Sequence, residues 1–564
     1  MCGSAGAASV ADAPRFSVIT PVYETPADVF WAMVGSVRDQ TFADWELCLV
    51  DDCSPSPQVT ELLDQAARLD PRIRIARRDE NGGIVAASND ALAMARGEFV
   101  ALLDHDDELH PDALALVEEA LRREPQADYV YSDEDKIDRG GRHSGPFFKP
   151  DWSPERMRTQ MYTCHLSVLR RSLVEEVGGF DAEYEGSQDW DLVLKVTERA
   201  RAVAHVPRVL YHWRTLETST AGAGEAAKPW AFEAGKRAIQ AHCERIGMPA
   251  RCERDPADPG VYHLQPELVD EPLVSIVIPT AAQVREVRYE PTVLVSHCLR
   301  SIVERSTYEN YELVVVVDSP ADPALLEELR QIAGERLRLV DYDKPFNYSD
   351  KINLGAEAAR GEHLLLLNDD IEVATPDWIE RMVMYSGLEG IGAVGGRLVL
   401  EDGRLQHVGV RFQSGLPGHH YLGFRGSFRG YANGVRVAGN CLAVTAACLM
   451  TPRALFEQVG GLDLSFPLNY NDVDYCLKLR SLGQRIVYDP DLLMVHFESS
   501  SRSKEVEGEE KQLLKERWLP LTAVDPYSNP NLRHEMPRLT STLAWAKGRR
   551  PRLRRRRPPK GQLA

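Results

Sequence analysis

The chain has 564 residues and a formal net charge of −19, with 43% hydrophobic and 27% charged residues. This length favours two to four folded domains, and the composition is that of a globular protein. The longest apolar runs, such as Val314–Val317 and Leu364–Leu367, are far shorter than the roughly 20 residues of a membrane-spanning helix, so the sequence predicts none.

The N-terminal segment does not have the pattern of a secretion signal, because no basic stretch precedes an apolar one. The ten cysteines are scattered, without a CxxC pair or the spacing of zinc ligands. We therefore expect reduced thiols and a cytoplasmic protein.

The first part of the chain alternates apolar strands with amphipathic helical segments. After the opening strand Phe16–Pro21, further strands are predicted at Trp45–Val50, Arg72–Ala76 and Phe99–Leu103. Such alternation is typical of an α/β protein with a mostly parallel, Rossmann-like sheet. Ligands of these sheets bind at the carboxyl ends of the strands, which is where acidic residues occur in this sequence.

The second half of the chain repeats the first half in the same order. Ala95–Leu109 (ARGEFVALLDHDDEL) recurs as Ala359–Val373 (ARGEHLLLLNDDIEV). Gly178–Asp181 (GGFD) recurs in the same way as Gly460–Asp463 (GGLD). Such a long repeat indicates a tandem duplication and not a solenoid of short units.

The spacing between matching residues grows slowly along the chain, which places an insertion near residues 395–440 in the second copy. The repeat therefore predicts two homologous domains, residues 1–265 and 266–540. The stretch Arg251–Pro272, which is rich in Pro and Asp, is the expected seam between them.

The carboxyl end of the predicted strand Phe99–Leu103 carries Asp104 and Asp106. Residues at i and i+2 of an extended chain project to the same side, so both carboxylates can approach one hard divalent cation and the phosphates it binds. The second copy has Asn368 and Asp370 at these positions. Because the pattern ends an apolar strand in both copies, it predicts a metal-diphosphate site in each.

A second acid follows in each copy, at Asp189 and Asp472, and each begins a helical pattern. A carboxylate at a helix N-terminus often serves only as a cap, so the position alone leaves a structural role open.

Taken together, these motifs resemble those of the family 2 inverting glycosyltransferases with the GT-A fold. The order is strand-Pro, strand-Asp, AxGE-strand-DxD, GGFD and xDxDL, and it covers both halves. The likeness is greatest to the rhamnosyltransferase-like branch that builds O-antigens, capsules and cell-wall glycans. Three segments of the second half carry it: Glu401–Val410, Val444–Asp463 and Val495–Arg502.

The resemblance implies a role for each matching residue. Asp189 and Asp472 would be general bases that take the proton from the acceptor hydroxyl. The residues expected near the nucleotide base or ribose are Thr20, Pro21, Glu24, Asp52 and Asp318. The residues expected at the donor ribose and the metal-diphosphate are Asp104, Asp106, Asn368 and Asp370. His212 and His496 follow the two bases by 23 and 24 residues and would complete the metal sites, each with a structural histidine as the alternative.

Four positions depart from the family pattern. The usual Glu-Asp of the base motif is Gln188-Asp189 in one copy and Asn471-Asp472 in the other. Asn368 replaces an acid, and Asp318 lacks the doubled acid of Asp51-Asp52. The second domain is therefore expected to use a different donor or to be slower.

The segment Gly390–Gly395 fits the GxGxxG fingerprint of dinucleotide-binding folds. That motif must follow a strand and open a helix. Here it follows the helical stretch Trp378–Leu388 and leads into a predicted strand at Arg397–Leu400, so we expect no NAD or FAD.

The end of the chain is strongly basic, with nine Lys and Arg residues and no acid between Lys547 and Lys560. This Pro-interrupted run predicts a disordered tail over residues 541–564. The tail is either a solvated segment without a role or a segment attracted to an anionic membrane surface, at about 1 kcal/mol per basic residue. Nucleic-acid binding is not expected, because the acidic body would oppose it.

The sequence thus predicts a bifunctional, Mg²⁺- or Mn²⁺-dependent hexosyl- or deoxyhexosyltransferase. The donor would be a UDP-, dTDP- or GDP-sugar. The acceptor would be a growing bacterial surface glycan on polyprenyl diphosphate, at the inner face of the cell membrane. Two alternatives remain: one copy is only a binding or scaffolding module, or the protein binds glycans without catalysis. A polymerase and a transferase of fixed sequence are not distinguished.

Overall fold

Both halves of the chain have the α/β architecture expected from the repeat. The computed structural model describes residues 13–215, 229–497 and 508–532, so the basic tail 541–564 lies outside the described residues. Nine cysteines lie within these ranges, and all are free thiols.

Within residues 13–215, the first domain has nine strands in one sheet and seven α-helices. The strands are β1 Phe16–Val22, β2 Trp45–Asp51, β3 Ile73–Arg77, β4 Phe99–Leu102, β5 Glu108–Leu109, β6 Ala127–Ile137, β7 His143–Phe147, β8 Ser167–Arg170 and β9 Ala202–Arg214. The helices are α1 Ala27–Arg38, α2 Pro57–Leu69, α3 Gly83–Met94, α4 Ala113–Arg123, α5 Pro154–Met157, α6 Arg171–Glu176 and α7 Gln188–Thr197. The four strands expected from the sequence are β1 to β4.

The first sheet has the strand order β3-β2-β1-β4-β8-β6-β9-β5, with β7 paired to β6. Strands β1 to β4 are parallel, and β1, β2 and β4 are nearly completely buried because helices cover both faces, whereas the edge strand β3 is partly exposed. Strand β8 runs antiparallel to its neighbours β4 and β6, so the sheet is mixed, and β6 and β9 beyond it pair in parallel again.

A helix and a hairpin follow the first sheet, and the second domain begins after them. They are α8 Pro229–Arg245, β10 Ala250–Arg254 and β11 Tyr262–Pro266. The second domain starts with β12 Val274–Thr280, β13 Val284–Val287, β14 Glu290–Val293, α9 Leu294–Arg305, β15 Tyr311–Asp318, α10 Pro323–Ala333, β16 Leu337–Tyr342, α11 Tyr348–Ala358, β17 His363–Leu367, β18 Ile371–Val373 and α12 Trp378–Ser386. It continues with β19 Ile391–Leu400, β20 Leu405–His407, β21 Val410–Gln413, β22 Leu416–His419, β23 Gly439–Cys441, β24 Cys448–Pro452, α13 Arg453–Gln458, α14 Asn471–Ser481, β25 Arg485–His496 and α15 Gly508–Thr522.

The second sheet has the order β16-β15-β12-β17-β24-β19-β25-β18, which is the order of the first sheet strand for strand. The predicted insertion contains β20, β21, β22 and β23. The GxGxxG-like segment lies at the start of β19, so it forms a strand and no phosphate-binding loop.

A buried hydrogen-bond network also recurs in the two copies. The Ser17 hydroxyl donates to Glu46 and the Ser275 hydroxyl to Glu312, each at 2.7 Å. Each serine also accepts a backbone amide of the AxGE turn. The duplication therefore extends to side-chain packing.

The predicted seam is packed between the two domains. The hairpin β10–β11 contacts α12, where the Arg381 guanidinium donates to the Leu264 carbonyl at 3.1 Å and to the Gln265 side chain at 2.6 Å. One hydrophobic core cluster contains buried residues of both domains. The two copies therefore pack together as one unit.

Polar contacts across the interface are buried as well. The Ser153 hydroxyl donates to the Asn440 side chain at 2.8 Å and accepts the Asn440 amide at 3.0 Å. Glu155 is fully buried, and its carboxylate accepts hydrogen bonds from Arg158 at 3.0 Å and from Arg485 of the second domain at 3.2 Å.

The C-terminal segment contacts both domains. Helix α15 packs on the second domain, whereas the Asn529 side chain, beyond the helix, donates to Asp133 at 2.9 Å and to the Lys149 carbonyl at 2.8 Å. Among the described residues, no helix has the length and the apolar character that crossing a membrane requires.

Replacing Glu155 by Ala leaves two guanidinium groups at the interface without their buried carboxylate. We expect the free energy of unfolding to fall by about 3 kcal/mol, measured by urea denaturation. The control is Glu457→Ala, which breaks an exposed pair with Arg453 and is expected to cost less than about 0.5 kcal/mol. Equal midpoints for the two variants would show that the interface contributes little.

Candidate functional site

The end of β4 carries three acidic residues. Asp107 is buried, and its carboxylate accepts hydrogen bonds from the Tyr211 hydroxyl at 2.6 Å and from the Arg214 amide at 2.7 Å. Asp107 thereby fixes the turn against β9. Burial and the neighbouring charge of Asp106 raise the pKa of Asp104. A cation between Asp104 and Asp106 would relieve this repulsion, so the pair fits a divalent metal.

Asp189 lies in the first turn of α7, whose N-cap is Ser187, so it is not the capping residue. Burial raises the pKa of Asp189, and the charge of Asp189 contributes to the raised pKa of Asp104. The structure thus brings Asp189 close to the strand-end acids, although about 85 residues separate them in the sequence, as expected where strand and helix ends meet at one sheet edge.

His165 also belongs to this cluster, although no sequence motif indicates it. Its ring stacks on Tyr211 and tilts against Trp213, with centroid distances of 5.4 and 4.5 Å. Burial alone would lower the pKa of His165, but Glu134 and the acids at the end of β4 raise it to about 9. His165 is therefore an imidazolium at neutral pH and faces the predicted base and metal ligands.

A buried ion cluster holds His165 in place. Glu134 accepts a hydrogen bond from His165 at 3.0 Å and pairs with the Lys149 ammonium at 3.1 Å. Lys149 is fully buried and also donates to the Ser132 carbonyl at 2.7 Å. The charges of Lys149 and His165 outweigh burial and lower the pKa of Glu134 to about 2. The cluster supplies positive charge beside an acidic site.

The predicted nucleotide-side residues lie in loops at the ends of β1 and β2. The Asp52 carboxylate accepts the amides of Gly82 and Gly83 at 2.9 and 2.8 Å, at the start of α3. It also pairs with Arg78 at 3.1 Å. Asp52 therefore orients the loop before α3, and a contact with the nucleotide remains a prediction.

Glu24 connects the same two loops. Its carboxylate accepts the Ser56 amide at 2.9 Å, and its own amide donates to the Ser54 hydroxyl at 3.0 Å. Thr20 is fully buried within β1, and the Pro21 carbonyl lies 3.2 Å from His105 Nδ1. The three residues line the carboxyl edge of the sheet, where the predicted donor pocket lies.

In the second domain, the strand-end amide Asn368 and the predicted base Asp472 contact the same segment. The Asn368 side chain accepts the Tyr348 hydroxyl at 3.1 Å, and the Asn368 amide donates to the Ala447 carbonyl at 3.2 Å. The Asp472 carboxylate accepts the amide of Ala446 at 3.1 Å. Asn368 and Asp472 are thus brought together as their counterparts are in the first domain.

The predicted pairing of a histidine with the strand-end acid is present only in the second domain. His496 Nε2 lies 3.1 Å from the Asp370 carboxylate. His212 lies with Asp135 instead, at 2.7 Å. The pairing register explains the difference, because Glu108 lies opposite His212, whereas the matching Glu372 lies opposite Val495. A shift of one residue in a strand turns the side chain to the opposite face.

Asp318 in the second domain forms an ion pair with Lys351, which also donates to the Thr280 carbonyl at 3.1 Å. The Thr280 hydroxyl donates to Asp369 at 2.6 Å. Lys351 therefore neutralises Asp318. The predicted contact of Asp318 with a nucleotide stays a prediction.

The strand registers also show that the second domain does not carry the His165 cluster. In the first domain Arg170 of β8 pairs with Phe99, and in the second Pro452 of β24 pairs with the matching residue His363. Five residues before Arg170 is His165, and five residues before Pro452 is Ala447, so Ala447 occupies the place of His165. By the same comparison of β6 and β19, Leu398 occupies the place of Glu134.

The second domain has histidines from its insertion instead. His407 is buried, and its Nδ1 lies 2.8 Å from Nδ1 of His419. Burial and the neighbouring His419 and His496 lower the pKa of His407 well below its usual value, so it is neutral. The two candidate sites therefore share one strand-end acid and the acid in the first turn of the helix, but they differ in the surrounding charge.

Helix α15 holds the loop before Asp472. Its buried Glu510 accepts the amides of Leu468 and Asn469 at 3.1 and 3.0 Å, and the Asn469 side chain at 2.9 Å. Arg517 of the same helix donates to Asp474 at 2.8 Å. No sequence motif indicates Glu510, because the loop and the helix meet only in the folded chain.

Comparison with known proteins agrees with the duplication. The family model described as Glycosyl transferase family 2 matches residues 17–178 and 275–460. The uncharacterized protein y4gI of Sinorhizobium fredii is 40% identical over 92% of this chain and 58% of its own length. The O-antigen biosynthesis protein RfbC of Myxococcus xanthus is 34% identical over 92% of this chain and 40% of its own length. The chain thus spans only about half the length of these relatives.

Among solved structures, S. aureus TarS residues 1–349 with UDP-GlcNAc is 21% identical over 40% of this chain and 66% of that chain, with a TM-score of 0.34. The mannosyltransferase PcManGT from Pyrobaculum calidifontis with GDP-Man and Mn²⁺ is 19% identical over 42% of this chain and 74% of that chain, with a TM-score of 0.31.

The raised pKa of His165 predicts a pH dependence of stability. Protonated His165 stabilises the folded state fully below the unfolded-state pKa of about 6.5, and this contribution is lost as the pH rises through about 9. We expect the difference in melting temperature between wild type and His165→Gln to shrink from pH 6.5 to pH 9.5. A difference that stays constant over this range would contradict the assignment.

Proposed function

The chain belongs to glycosyl transferase family 2, and the family model matches both of its halves. We therefore propose that it has two active sites. Each would transfer a sugar from a nucleotide diphosphate donor to a growing glycan with inversion. The observation that supports the proposal is the link between a helix-start acid and the strand end in each domain. In the first domain the charge of Asp189 acts on Asp104, and in the second Asp472 and Asn368 are hydrogen-bonded to the adjacent residues Ala446 and Ala447.

The bases are Asp189 and Asp472. A single displacement at the anomeric carbon needs a base within hydrogen-bonding reach of the incoming hydroxyl. The raised pKa of Asp189 makes its carboxylate a stronger proton acceptor than an exposed aspartate. The Asp472 carboxylate is oriented by the amides of Ala446 and Val473. Each base also stands apart from the strand-end acids in the sequence, which suits separate roles.

The strand-end residues would hold Mg²⁺ or Mn²⁺. Asp104 and Asp106 offer carboxylate oxygens in the first domain, and Asp370 and His496 offer an oxygen and a nitrogen in the second. The oxygen pair suits either ion, whereas the imidazole favours Mn²⁺ over Mg²⁺. When bound, such a cation supplies positive charge to the leaving diphosphate.

The donor would contact the loops after β1 and β2, with Thr20, Pro21, Glu24 and Asp52 in the first domain and Asp318 in the second. His165 adds a positive charge near the diphosphate in the first domain, where the second domain has Ala447. This difference supports two different UDP-, dTDP- or GDP-sugar donors, or two different rates.

The acceptor would be a bacterial surface glycan linked to polyprenyl diphosphate. The name of the Myxococcus xanthus relative, an O-antigen biosynthesis protein, supports a surface glycan. The protein would work in the cytoplasm at the inner face of the membrane, and the basic residues between Lys547 and Lys560 would bind anionic lipid there.

The two bases can be tested one at a time. We expect Asp189→Asn and Asp472→Asn each to lower nucleoside-diphosphate release for a different donor or step, by about 10²- to 10⁴-fold. The assay uses a panel of UDP-, dTDP- and GDP-sugars with Mn²⁺ and a lipid-linked acceptor. Asp64→Asn, an exposed acid paired with Arg77, is the control and is expected to leave release unchanged.

If only one base variant loses activity, the other domain is a binding or scaffolding module. If no donor is turned over with any acceptor, the catalytic proposal is wrong.

The membrane role of the tail predicts that deleting Lys547–Ala564 lowers binding to vesicles containing anionic lipid. Neutral vesicles are the control, because a charge-driven contact is absent there. Unchanged binding to anionic vesicles after the deletion would rule out this role.

A further inference from the structure

His212 lies on the sheet face opposite the candidate active site of the first domain. Successive side chains of a strand point to opposite faces. In β9, Tyr211 and Trp213 face His165, so His212 between them faces the other way. In β6, Glu134 faces His165, and the next residue, Asp135, faces His212.

Three side chains meet on this second face. Asp135 and His212 are direct partners in the parallel pairing of β6 and β9, and their side chains are 2.7 Å apart. His143 comes from β7 and lies 3.1 Å from the other Asp135 oxygen. The rings of His143 and His212 meet edge to face at 4.5 Å, with both Nδ1 atoms directed at the carboxylate.

We propose that Asp135, His143 and His212 form a second metal site that takes Zn²⁺, separate from the metal-diphosphate sites. One ligand atom from each residue lies within 4.8 Å of the others. Ligand atoms at about 2.0–2.1 Å from a tetrahedral zinc ion are roughly 3.3 Å apart, so small side-chain rotations bring the three atoms to binding distance.

The ligand types favour zinc. Two imidazoles and one carboxylate suit Zn²⁺, whereas Mg²⁺ prefers oxygen ligands alone. The group opens onto a pocket lined by His110, Phe148, Arg208 and Asn531. Water from this pocket can occupy the fourth position, as in zinc sites with three protein ligands.

The other group of this kind, Glu134, Cys164 and His165, does not suit a metal. The Lys149 ammonium lies against Glu134 at 3.1 Å and donates to the Cys164 carbonyl, so a cation already occupies that place. Burial raises the pKa of Cys164, which keeps its thiol protonated. At Asp135, the partners are two histidines with no ammonium or guanidinium bonded to the carboxylate among the described contacts.

A metal bound at this site would restrain the hairpin β6–β7. A metal bound by residues of β6, β7 and β9 joins three strands. His143 is about half exposed, whereas Asp135 and His212 are largely buried, so the metal would fix an otherwise exposed strand to the sheet.

The test is metal binding to the full chain with Zn²⁺ and with Co²⁺ as a spectroscopic probe. We expect His143→Ala and His212→Ala each to bind one equivalent of Zn²⁺ fewer than wild type after gel filtration. The visible absorption of Co²⁺ in a histidine-containing tetrahedral site is expected in wild type and lost in both variants. The strand-end acids are intact in every variant, so their metal adds equally to each count.

His110→Ala is the matched control. His110 lines the same pocket, but its Nδ1 accepts the Asp112 amide, and we expect full Zn²⁺ binding. His143 is exposed enough for its variant to fold, and a melting curve confirms this before metal analysis. Equal Zn²⁺ and Co²⁺ binding by wild type and the two variants would overturn the site and leave a hydrogen-bonded His-Asp-His cluster.

Discussion

The repulsion between acidic groups at the end of the central strand is the constraint on which the first site depends. Asp104 and Asp106 are held near each other and near Asp189 in a place where water screens them poorly. The fold compensates from its own side chains, because Asp107 is bonded to β9 and His165 brings a positive charge that is secured by Glu134. A divalent cation would neutralise the remaining negative charge of the two carboxylates. The same repulsion that lowers the stability of the fold therefore favours binding of a metal-diphosphate.

In the second domain, the electrostatic repulsion is lower because charged residues are replaced by neutral ones. Asn368 takes the place of one acid, Ala447 replaces the imidazolium, and His496 contacts the remaining Asp370. The proposed base Asp472 is retained, and its carboxylate accepts hydrogen bonds from the backbone amides of Ala446 and Val473. The two candidate sites therefore lie at equivalent places in the two sheets but differ in their electrostatic environment, which agrees with the proposal of two different donors.

Much of the fold could be predicted from the sequence, because strands of buried residues and a repeat leave a clear pattern, whereas the roles of the acidic site residues stay predictions. The strands β2, β3 and β4 lie within one residue of their predicted positions, and the charge of Asp189 contributes to the raised pKa of Asp104. His165 could not be predicted, since only the pairing of β8 with β4 and β6 brings it to the site. Counting residues after the base also could not reveal that His212 faces away from the acids.

The central claim is that one chain holds two donor sites. It is tested most directly by counting nucleoside diphosphate bound per chain at saturation with Mn²⁺, by equilibrium dialysis over a panel of UDP, dTDP and GDP. The account predicts two equivalents in total, of which Asp106→Asn removes one and Asp370→Asn the other. A single equivalent, abolished by one of these variants and untouched by the other, would contradict it.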